Sequence, residues 1–136
     1  MPPKPRNFDY GYFDPFNYFW GMKGKVIVSS FLTNLFSFSR ASAVTIFPFI
    51  FVQRKIMLKD KDLMNHERIH IAQALELLVL PFYVLYGVEF LIRLIYYRKV
   101  ETAYLNISFE REAYLKQSDL HYLRTRKMWS FRKYYR

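Results

Sequence analysis

His66-Glu67-Arg68-Ile69-His70, running directly into Ile71-Ala72-Gln73-Ala74-Leu75-Glu76-Leu77-Leu78-Val79, is the stretch on which the reading of this chain turns. After His70 the apolar residues recur nearly all round a helix. That pattern predicts a buried helix from near Leu63 to about Leu80, with Asp60 or Asp62 as N-cap and Pro81 marking its break. Two His four residues apart then share one helical face, a single turn from each other, so both imidazoles can reach one metal ion. Glu67 projects to the side between them, where it can serve as general base toward a water that the metal activates. A buried helix that opens on these three groups holds them at the rim of the core, partly shielded from water.

The 136 residues predict one domain, long enough to bury a real core. The absence of Cys excludes disulfides, zinc ribbons and thiol nucleophiles. A metal site must therefore use His and carboxylates, which suits Zn2+. A formal charge of +10 with 21% aromatic residues points to anionic contacts: a membrane surface, an acidic partner or nucleic acid. No nucleic-acid motif accompanies the charge, so nucleic acid is not expected. Nothing in Met1 to Tyr10 resembles a secretory signal, and the expected location is cytoplasmic or peripheral to the inner membrane. The uncharged runs 26–39, 41–53 and 77–88 fall short of the roughly 20 residues a span needs. The last reaches Ile95 only by admitting Glu89 and Arg93, and all three read as core elements before membrane segments.

In order, residues 1–24 read as an irregular aromatic arm, 25–118 as the metal-binding domain and 119–136 as a basic aromatic C-terminal tail. Val26-Ile27-Val28 predicts a strand, and residues 29–38 suit either strand or short helix. Ala43 to Val52 predicts one strand, which Pro48 assigns to a sheet edge where a peptide substrate could pair. Residues 54–62 form a charged connection. A second apolar helix spans Phe82 to Tyr97, and a shorter one, capped by Asn106 or Ser108, carries Glu110 and Glu112. The tail reads as a solvated basic helix or frayed end.

A catalytic zinc has three protein ligands and one open position, so the two His need a partner. Glu76 is too far along the same helix, and Glu89 has Arg93 at i+4. Glu110 and Glu112 point to nearly opposite sides, so only one can be the ligand. Glu112 has Lys116 at i+4, a ready surface pair, whereas Glu110 shares its face with the small Ala113. Glu110 is the preferred third ligand. Gln73, Tyr114, His121 and Glu112 are candidates for groups beside the site or, with Tyr122, for donors to an oxyanion.

His66-Glu67-x-x-His70, Gln73 and the later Glu110-x-x-Ala113 resemble the gluzincin-type zinc metallopeptidases. The closer resemblance is to small bacterial proteins reading H-E-x-x-H-x-x-Q and then F-E-x-E-A, over His66 to about Tyr114 with the upstream strand. It implies zinc held by two His and a later Glu, with Glu67 as base. Tyr114 stands where larger families often carry Asp, which removes a carboxylate that would orient a ligand His. The expected fold is α+β, mainly helical: a zincin-like minimal core with an active-site helix, a second apolar helix, a third-ligand helix and a small upstream β-sheet or hairpin. The expected function is zinc-dependent hydrolysis of peptide bonds in a peptide or protein substrate. The alternative is a non-enzymatic module, with or without zinc, that docks on membrane lipid or an acidic partner through its tail.

Overall fold

The computed structural model describes residues 23–136, so the expected aromatic arm lies almost wholly outside the described residues. The fold is α+β and mainly helical, with one small sheet. Strands β1 (Lys25–Val28), β2 (Ala43–Ile46) and β3 (Phe49–Val52) form a sheet in the order β1-β3-β2. β1 pairs parallel with β3, and β2 pairs antiparallel with it in the register Ala43 to Val52 and Ile46 to Phe49. The single strand expected over 43–52 is thus a hairpin. Phe47 and Pro48, joined by a cis peptide, make its turn, because Pro lacks the N–H that a continuous strand would need there. β2 is an edge strand, while β3 lies in the middle of the sheet.

Helix α1 (Ser30–Ser37) follows β1, capped by the Ser29 side chain, and resolves the ambiguity over 29–38 in favour of helix. A 3-10 turn over Lys55–Lys59 occupies the charged connection. Helix α2 (Lys61–Glu76) starts at Asp60, whose carboxylate accepts from the Leu63 amide at 3.0 Å. It stops four residues before the expected end, because Leu78 and Val79 take positive φ values and turn the chain. Pro81 falls in the first turn of helix α3 (Leu80–Tyr97), where a missing N–H leaves no bond unmade.

α2 is the centre of the molecule, as its all-round apolar pattern requires. On one side Met64 and Ile71 pack with Ala43, Ile50 and Val52 of the sheet. On the other, Ala74 and Leu77 pack with Phe82, Ile107, Phe109 and Phe131. α3 departs from its expected place in the core, since its only buried residues are Phe82 and Glu89. After α4 (Val100–Leu105), helix α5 (Ser108–Lys116) begins without a side-chain cap from Asn106 or Ser108. Glu89 of α3 does that work: its carboxylate accepts from the Ser108 amide at 2.9 Å and the Ser108 hydroxyl at 2.6 Å. Glu89 also pairs with Arg93 at 3.2 Å, as the i,i+4 spacing predicts.

The tail is folded rather than frayed, and solvated only on its outer side. A short helix α6 (Tyr122–Thr125) and a 3-10 turn over Ser130–Tyr134 fold it back, burying Tyr122, Arg126, Ser130 and Phe131.

Candidate metal centre

Five elements converge on one point. α2 brings His66, Glu67, His70 and Gln73; α5 brings Glu110 and Glu112; β2 brings Thr45; α3 and α4 bring Tyr86 and Tyr104. His66, His70 and Glu110 are all buried, and their ligand atoms lie within 4.8 Å of one another. The two imidazole Nε2 atoms are 3.1 Å apart. His66 Nε2 stands 3.3 Å from Glu110 Oε2, and His70 Nε2 stands 3.3 Å from Glu110 Oε1.

The tautomers follow from the partners behind the rings. Gln73 Nε2 donates to the Phe109 carbonyl at 3.1 Å and to Glu112 Oε2 at 2.9 Å, two groups that can only accept. Its Oε1 must then face His70 Nδ1, 2.8 Å away, which makes Nδ1 the protonated nitrogen. Gln117 Oε1 lies 3.1 Å from His66 Nδ1, a spacing that the same tautomer of His66 satisfies. In that tautomer both Nε2 lone pairs point toward the same carboxylate. Two lone pairs and a buried anion within such a small space repel unless a cation sits among them.

The donor set fits a small divalent ion. A tetrahedral ion with bonds of about 2.0–2.1 Å separates its ligand atoms by about 3.3–3.4 Å, close to the observed spacings. Glu110 Oε2 is buried with no hydrogen-bond partner among the described residues, an acceptor that such an ion would satisfy. With no ion bound, a proton takes the cationic role. Burial alone would lower the His70 pKa, but the adjacent Glu110 carboxylate outweighs it and raises the value to about 9. Burial likewise pushes the Glu110 carboxyl up, and the two imidazoles overcome this and hold it below the usual carboxylate range.

Glu67 lies one residue from His66 and is also buried. Its Oε2 accepts from the Thr45 hydroxyl at 2.6 Å, which ties the helix to the edge strand. Burial raises the Glu67 pKa against the opposing pull of His70, His66 and the Thr45 hydrogen bond. A carboxylate tuned upward is better matched to proton transfer near neutrality.

Glu110 is held by the Tyr86 hydroxyl, which donates to Oε1 at 2.6 Å. Burial first, and then the Glu110 charge, raise the Tyr104 pKa, so Tyr104 stays a neutral hydroxyl. Tyr114 packs its ring edge-on against His66, with centroids 4.5 Å apart. Burial keeps Tyr114 protonated too, with a hydrogen bond to Tyr104 pulling the other way and the Glu110 and Glu67 charges adding to the rise.

The remaining sequence candidates fall elsewhere. His121 is exposed, and its amide donates to Asp119 Oδ1 at 3.1 Å. Tyr122 donates to Glu112 Oε1 at 2.8 Å. Glu112 is no surface partner of Lys116: it is 0% exposed and pairs with Arg126, which forks on to Glu76 at 2.7 and 2.9 Å. A chain of contacts therefore runs from His70 through Gln73 and Glu112 to Arg126 and Glu76. It places a carboxylate behind His70, two positions before Tyr114 and acting through the Gln73 amide. Thr45, Tyr86, Tyr104, Gln117 and Arg126 escaped the sequence reading. Each comes from another element, and only an i,i+3 relation such as that of Gln73 to His70 is visible in spacing.

No protein-family model, curated protein or solved structure matches the chain.

Proposed function

We propose that this protein is a zinc-dependent metallopeptidase of gluzincin type with a zincin-like minimal core, in which His66, His70 and Glu110 hold the metal. The single observation that carries this reading is the convergence of two Nε2 lone pairs and one carboxylate at spacings of 3.1–3.3 Å, with Glu67 beside them. When bound, zinc supplies Lewis acidity, lowering the pKa of water and polarising a carbonyl. Glu67 takes a proton at its carboxylate, and the Thr45 hydroxyl holds that carboxylate in place through Oε2. Glu67 later returns the proton to the leaving amine. Gln73 and Gln117 keep the imidazole planes fixed through Nδ1. Tyr114, half-exposed and protonated, is the donor best placed to meet a developing oxyanion. The substrate backbone pairs with the outer edge of β2, the strand that carries Thr45.

The test is cleavage of a mixed peptide library by the zinc-loaded full chain, read by mass spectrometry. Cleavage is expected to stop on chelation and to return with added zinc. Absence of cleavage from the loaded protein, or cleavage indifferent to chelator, would sink the peptidase reading. The alternative, a docking module acting through its tail, has less support, because Arg126, Tyr122 and Phe131 of that tail are turned inward.

A further inference from the structure

Helix α3 is amphipathic in the wrong sense for a helix on the surface of a soluble domain. It is 18 residues long, apolar enough to cross a membrane, and only 11% of it is buried. Its two charged residues, Glu89 and Arg93, face the protein: Glu89 caps α5, and Arg93 pairs with Glu89. The outward face carries Val84, Leu85, Val88, Leu91, Ile92 and Ile95, each at least 45% exposed, at successive spacings of one or three. No charge interrupts this stripe. It ends in Tyr96 and Tyr97, then exposed Arg98 and Lys99, the apolar-aromatic-basic order of a segment meeting lipid headgroups. The surroundings match an anionic surface: the chain carries a formal charge of +10, and the last 17 residues, 120–136, contain no acid.

We propose that this face of α3 docks on an anionic lipid bilayer, the helix lying in the plane of the membrane surface with Arg98 and Lys99 among the headgroups. The flat orientation follows from the tail. The Arg136 carbonyl accepts from Arg93, and the Tyr135 ring lies 5.0 Å from its guanidinium carbon. These contacts fix Tyr135 and Arg136, both exposed, beside the second half of the helix. A spanning helix would carry them into the hydrocarbon, whereas a flat one brings Arg136 to the phosphates. The inference is independent of the metal site.

The test is flotation of the full chain with phosphatidylcholine vesicles, with and without phosphatidylserine. The chain is expected to float with the phosphatidylserine vesicles and to detach progressively with salt. Leu85→Glu combined with Ile92→Glu is expected to reduce binding by at least about tenfold at an unchanged melting temperature, because both side chains are exposed. Arg98→Glu combined with Lys99→Glu is expected to remove the preference for the anionic lipid. Absence of flotation, or flotation untouched by the Leu85 and Ile92 changes, would overturn the proposal. So would a dimer in ultracentrifugation that those changes dissolve while vesicles remain unbound, since the face would then belong to a second copy.

Discussion

Replacing Glu67 by Gln is expected to slow peptide hydrolysis by about 10²- to 10⁴-fold while zinc content and melting temperature stay at wild-type values. Gln keeps an oxygen that can accept from the Thr45 hydroxyl, so the 2.6 Å contact between helix and edge strand has a replacement. It loses the basic carboxylate, and among the described residues Glu110, which the same imidazoles occupy, is the other acid grouped with them. Burial already disfavours charge at Glu67, so a neutral amide of the same shape does not harm the fold. Hydrolysis at an undiminished rate in Glu67→Gln would remove this residue from the chemistry. A parallel loss of zinc or of stability would make its role structural.

Arg126→Ala is expected to be the most damaging substitution in the tail. The Arg126 guanidinium and the Glu112 carboxylate both have fully buried side chains, with Glu76 as the second partner. Removing the cation leaves Glu112 in the core without a counter-charge, held by the Gln73 amide and the Tyr122 hydroxyl, at a cost of about 3–5 kcal/mol. That is a large fraction of the roughly 5–15 kcal/mol that holds a domain together. The damage should travel further, because Glu112 Oε2 anchors the amide that orients His70. Lys133→Ala, a change at an exposed position of the same tail, should shift stability by no more than about 0.5 kcal/mol. Chemical denaturation checks both, and an Arg126→Ala midpoint close to that of Lys133→Ala would show that the buried ion pair is not needed.

The sequence carried the local facts and lost those that depend on distant segments. The i,i+4 spacing of His66 and His70 sets their shared face whatever the rest of the chain does, and the apolar residues after His70 correctly announce a helix buried on both sides. Glu110 was separable from Glu112 because two residues on a helix point to different sides. The supposed surface pair of Glu112 with Lys116 was an error, since a charged i+4 neighbour says nothing about a buried Arg fourteen residues away. Pro48 was legible as a disruption, but a turn and an edge position disrupt a strand pattern alike. For α3, an apolar composition predicts burial that the fold does not provide. Composition cannot tell a helix covered by protein from one whose apolar side faces outward, and the inward placement of Glu89 depends on where Ser108 arrives.

The most direct measurement is calorimetric titration of zinc into the metal-free full chain at several pH values. One ion per chain is expected. Near neutral pH, binding should expel about one proton, because in the metal-free chain the Glu110 carboxylate, aided by Glu67 and Gln73, outweighs burial and pushes His70 up to about 9. Affinity should then rise by up to about tenfold per pH unit toward that value and level off above it. Binding should be lost when His66 and His70 are both replaced by Ala. A chain that takes up no zinc, or a double variant that binds it as well as the wild type, would contradict the metal centre.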